Sequence, residues 1–193
     1  MKISIFVICV SSLSFSLFAQ QPDSTKVSAR KISYFNNLLA GGLFSDSGGS
    51  NGFALSTTHG IRIKSFALGA GVGFDSYGRW EAGSIFGVAS YDFLKIKKNA
   101  FYLQFAAGHS NASKVETEEW WGDYKESGGP MINTMLGYRI SARQFSLYIQ
   151  AGHKYQEAHY SYNPQPWSSA WGSTNFVDEE INRVVFQIGF GFH

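Results

Sequence analysis

Apolar positions alternate with small or polar ones along much of this chain. In Arg183 to His193, Val184, Phe186, Ile188, Phe190 and Phe192 share one parity; Arg183, Val185, Gln187, Gly189, Gly191 and His193 share the other. A strand sends successive side chains to opposite faces, so this segment has one bulky apolar face and one small or polar face. Phe66 to Phe74 repeats the pattern, setting Phe66, Leu68, Ala70, Val72 and Phe74 against Ala67, Gly69, Gly71 and Gly73. Six further segments follow it less cleanly: Ile32 to Phe44, Gly52 to Ile63, Trp80 to Leu94, Ala100 to Gly108, Pro130 to Ile140 and Gln144 to Gln156. Adjacent Leu38 and Leu39 blur the first of these, and the parity of Trp80 to Leu94 is ambiguous. His59 falls on the apolar parity of its strand, which predicts a local bulge.

The connections between these predicted strands alternate in character. Lys64-Ser65, Lys95 to Asn99 and Ser141 to Arg143 are tight turns. Ser45 to Asn51 and Asp75 to Arg79 are longer, and His109 to Gly129 and Glu157 to Glu180 are long excursions. Short turns at one end and long loops at the other mark an even-stranded outer-membrane barrel with both chain ends in the periplasm. The strands are also near the ~9–11 residues that a tilted strand needs to cross a bilayer. The pattern therefore predicts an all-β fold, a closed antiparallel up-and-down transmembrane β-barrel of about eight strands over residues 32–193. A soluble lipocalin-like barrel is the alternative.

The N-terminus changes the picture by giving an address. Lys2 followed by the apolar, serine-dotted run Ile3 to Phe18 and small Ala19 predicts a secretory signal over residues 1–20. Residues 21–31 are polar and aperiodic, and are expected to form a periplasmic lead-in. Cys9, the one cysteine, leaves with the signal, so the mature chain is expected to lack disulfide and thiol chemistry. Lys2 leaves too, and 15 basic residues then face 14 acidic ones. Such a balance offers no basic field for nucleic acid.

The signal, the alternation and the terminal Gln187-Ile-Gly-Phe190-Gly-Phe192 resemble the small outer-membrane β-barrel proteins of the OmpA/OmpX type, as in Bacteroidota-like envelopes. The resemblance covers Ile32 to the end. It implies contact with outer-membrane lipid and lipopolysaccharide, and insertion by the barrel-assembly machinery, which recognises a terminal aromatic residue. Here His193 follows Phe192, one place beyond that residue.

Candidate chemistry lies in two places. The polar parities place Arg62, Gln104, Arg139, Gln150, Lys154, Arg183 and Gln187 inside the barrel, with Glu81 as a possible counter-charge. Eight strands leave room for side chains or a small ligand, so these residues read as a hydrogen-bonded plug, with a narrow small-solute channel as the alternative. Gly69, Gly71 and Gly73 line one strand face with no helix after them, which indicates tight filling rather than a phosphate loop. The outer excursions carry Trp120, Trp121, Tyr124, Tyr160, Tyr162, Trp167 and Trp171, suited to stacking on sugars or anchoring in an extracellular partner. Glu116, Glu118, Glu119 and Asp123 lack calcium-loop spacing, so no metal site or cofactor is expected. His109-Ser110-Asn111 loosely resembles the His-any-Ser-Asn signature of outer-membrane lipid A deacylases, with Glu116 available to orient the histidine, but the spacer is missing. Neighbours on a strand face opposite ways, so no enzyme is expected; a structural or surface-recognition role carried by the loops is.

Overall fold

The computed structural model describes residues 32–45, 50–78, 80–114, 121–142, 144–164 and 174–192; the expected signal and lead-in lie outside them. Eight strands run in chain order: β1 (Ile32–Ser45), β2 (Gly52–Ile63), β3 (Phe66–Ser76), β4 (Trp80–Ile96), β5 (Asn99–Lys114), β6 (Trp121–Ser141), β7 (Phe145–Pro164) and β8 (Asn175–Phe192). Each pairs antiparallel with the next, and β1 pairs with β8 from Asn36 opposite Phe192 to Ser45 opposite Arg183, which closes the barrel. Closure pairs the backbone around the whole ring, the condition for a sheet to stand in hydrocarbon.

The outer wall carries what a soluble barrel would hide. Phe66 is 63 % exposed and Ile85 72 %, and Leu68, Leu103, Leu136, Ile188 and Phe190 stand out beside them. Continuous apolar surface of this kind fits lipid, not water. Aromatic pairs ring it near the short turns, where Phe66 lies 4.6 Å from Tyr91 and Phe101 4.5 Å from Tyr138. Phe53 and Phe74, 5.8 Å apart, do so at the other end. Aromatic belts of this sort sit where tails meet headgroups.

The three short turns share one end. Lys64 and Lys97 open two of them with left-handed backbone, at φ 58° and 57°, a conformation that two-residue hairpins need at their first position. At the other end β5 to β8 overrun the lipid band, and β6 reaches 21 residues. This corrects the expectation of long loops over 109–129 and 157–180, since most of both excursions is strand. Gly128-Gly129-Pro130 reads as a loop signal but falls in a register shift between Gly128 and Met131 of β6. A bulge accommodates proline's missing N–H, and a Cβ at Gly128 would collide with the Ser110 carbonyl of β5.

Three further expectations are corrected. His59 causes no bulge, since β2 keeps its register with both neighbours; it faces outward and hydrogen-bonds through Nδ1 to the Tyr34 hydroxyl at 2.6 Å. Asp75 belongs to β3 rather than to a loop, and its side chain is buried. In β4, Trp80, Ala82, Ser84, Phe86, Val88 and Asp92 point inward, so Glu81 stands on the outward parity. A register shift between Asp92 and Leu94 leaves Phe93 and Leu94 both exposed, which makes the parity of this strand ambiguous.

Candidate functional site

The interior is built in tiers. Nearest the short turns, Arg62 Nη1 donates to both Asp92 oxygens at 3.0 and 2.9 Å, and Arg139 donates to the same oxygens at 3.2 and 2.7 Å. Next, the Tyr102 hydroxyl donates to Gln150 Oε1, and Gln150 Nε2 donates to Gln187 Oε1, each at 2.8 Å. The Tyr102 ring meets Tyr148 edge-on at 6.0 Å. Gln104 lines a central cavity of ≈ 20 Å³ with Thr58, Ser84 and Asn133, space for about one water molecule.

Toward the outer end, the Lys154 ammonium donates to the buried Asp75 carboxylate. The Tyr77 hydroxyl donates to Gln156 at 2.8 Å, and Arg183 lies over the Tyr77 ring at 5.6 Å. Tyr77 sits in the β3–β4 connection; burial first, and then the Asp75 carboxylate, push its phenol well above the usual value, so it remains a donor. Leu43, Trp80, Met135, Ile181 and Val185 pack into an apolar layer across this end. Trp80 donates to Glu179 at 3.0 Å and packs 5.7 Å from Tyr160.

All seven interior candidates stand on the inward side of the wall, but the acids that hold Arg62, Arg139 and Lys154 are Asp92 and Asp75, not Glu81. Neither acid is among the interior candidates of the sequence pattern. Asp75 shares the parity of Gly69, Gly71 and Gly73, so continuing that strand by one residue finds it; Asp92 shares the parity of Phe86 and Val88 up to the register shift.

The outer candidates divide. Trp120, Trp167, Trp171 and Glu116 lie outside the described residues. Trp121 and Tyr124 lie in β6 and Tyr162 in β7, with Trp121 opposite Pro164 and Tyr124 opposite Tyr162. Tyr160 is half-buried against Trp80. On the outward face of the overrunning strands, His159 Nδ1 lies 2.7 Å from Asp178 and its Nε2 3.6 Å from Glu157, which also accepts from Tyr155 at 2.6 Å. His109 is exposed on the outward face, whereas Ser110 is fully buried on the inward one, so the two do not meet.

No protein-family model matches the chain, and no curated protein sequence does. Among solved structures it is similar to Neisserial surface protein A (NspA), at 16 % identity and a TM-score of 0.56, over 84 % of this chain and 98 % of that one. It is also similar to the outer membrane protein OprG from Pseudomonas aeruginosa, at 12 % identity and a TM-score of 0.61, over 82 % and 94 % of the two chains. At such identities the likeness is one of fold: a small closed barrel of the outer-membrane kind.

Proposed function

We propose that the chain sits in a bacterial outer membrane and acts in recognition at the cell surface, through the overrunning strands and their aromatic-rich connections. The observation that carries this reading is the contrast between the two ends. One end closes in tight turns, while β5 to β8 continue past the lipid band into solvent, where Phe176 is 80 % exposed. An exposed aromatic on a rigid ribbon is a surface for contact rather than for packing. The interior serves as a plug, because its polar groups mostly satisfy one another. Outer-membrane lipid and lipopolysaccharide cover the apolar wall, the barrel-assembly machinery inserts it, and an extracellular ligand meets the ribbon.

The test compares the full chain in nanodiscs with a variant in which residues 115–120 and 165–173 are replaced by Gly-Ser linkers and the exposed Phe176 of the ribbon by Ser. Both are applied to arrays of glycans and immobilised extracellular proteins. The intact barrel is expected to retain partners that the trimmed one loses, with the trimmed one still folded. Binding by neither, or by both alike, overturns the reading. The channel and lipid A deacylase readings have less behind them: the central cavity admits about one water molecule, and His109 and Ser110 face opposite sides of the wall.

A further inference from the structure

The turn end of the interior carries more positive charge than negative. Arg62 and Arg139 both bind Asp92, and their side chains are only 16 % and 10 % exposed. Beside them lies a cavity of ≈ 90 Å³ whose walls include Ser33, Arg62, Arg139, Ser141 and Ser146. None of the residues lining it is acidic. Among the described residues Asp92 is the acid paired with these arginines; it can neutralise one guanidinium, so one unit of positive charge remains there. A secluded charge without a counter-charge is costly, and the arrangement calls for an anion. Arg62 reaches Asp92 through Nη1 alone, and the rest of its guanidinium borders the cavity beside the Tyr148 hydroxyl and the Phe35 ring. Ser33 and Ser141 add hydroxyl donors around the same space, and the Ser146 hydroxyl donates to Ser141 at 3.3 Å.

We propose that this cavity binds a small oxyanion, a phosphate or a carboxylate, held by the two guanidinium groups and the serine hydroxyls. Arginine's planar fork matches such groups, and the volume equals on the order of six water molecules, enough for an anion of that size. Ser33 is the second residue of β1 and Ser141 the last of β6, and both are only half-buried, so the cavity opens at the periplasmic turns. The closed wall separates it from lipid headgroups, and the anion is therefore one free in the periplasm.

The test is thermal unfolding of the folded full chain in maltoside micelles, which carry no phosphate headgroup, with inorganic phosphate titrated against chloride at constant ionic strength. Ligand bound only to the folded state raises the midpoint, so phosphate is expected to raise it saturably by several degrees. Arg62→Gln is expected to abolish the rise, and Lys64→Gln, on the exposed turn outside the cavity, to keep it. Should Arg62→Gln fail to fold, Ser33→Leu fills the cavity from the position opposite Arg62 while keeping Arg62, Arg139 and Asp92, and is expected to abolish the rise as well. No rise in the parent protein, or a rise that survives these cavity variants, overturns the proposal.

Discussion

Asp75 and Lys154 form a buried pair, 1 % and 6 % exposed. Removing one partner strands the other charge in a space that lipid shields from bulk water, at a cost of about 3–5 kcal/mol. Asp75→Ala is therefore expected to lower the urea unfolding free energy by that amount, and Asp75→Leu with Lys154→Met to recover most of it. An Asp75→Ala barrel as stable as the parent would show that the pair is not what holds this tier. Gly137 makes a second case. A Cβ there would overlap the Tyr102 ring that covers it, whereas one at outward-facing Gly87 meets only the Ala107 carbonyl, at 3.9 Å. Gly137→Ala is expected to cost about 1–3 kcal/mol by displacing Tyr102 from Gln150. Gly87→Ala should stay within about 0.5 kcal/mol in the same assay.

At the scale of the strands, legibility stopped where lipid stops. In β7, Phe145, Leu147, Ile149 and Ala151 alternate against Ser146, Tyr148, Gln150 and Gly152, because one face meets hydrocarbon. Beyond them the outward residues are His153, Tyr155, Glu157, His159 and Ser161. Water tolerates any polar side chain there, so the alternation vanishes while the ladder continues to Pro164. The same strands should differ in protection along their length. Hydrogen exchange in micelles is expected to be slow over 132–140, 145–154 and 184–191, and faster over 121–128, 157–164 and 175–180, where amides border water. Uniform protection along β7 would contradict this placement of the membrane boundary.

For the whole molecule, a closed ring and a filled interior make two demands on one sample. The folded barrel should migrate differently on gels before and after boiling, since detergent finds no edge strand to open. In planar bilayers it should show no discrete conductance, because its central cavity of ≈ 20 Å³ admits about one water molecule. Stepwise currents would restore the channel reading.

What the sequence by itself determined is the wall: all eight strands, the sidedness of the turns, and the inward direction of Arg62, Gln104, Arg139, Gln150, Lys154, Arg183 and Gln187. A period of two is a local property, enforced residue by residue wherever one face meets lipid. Only the tertiary structure decided which side chains meet across the barrel. Arg62 and Asp92 are 30 residues apart, Arg139 and Asp92 47, and Lys154 and Asp75 79. No local pattern records such pairings; they follow from closure of β1 on β8, which brings strands distant in the chain around one narrow interior.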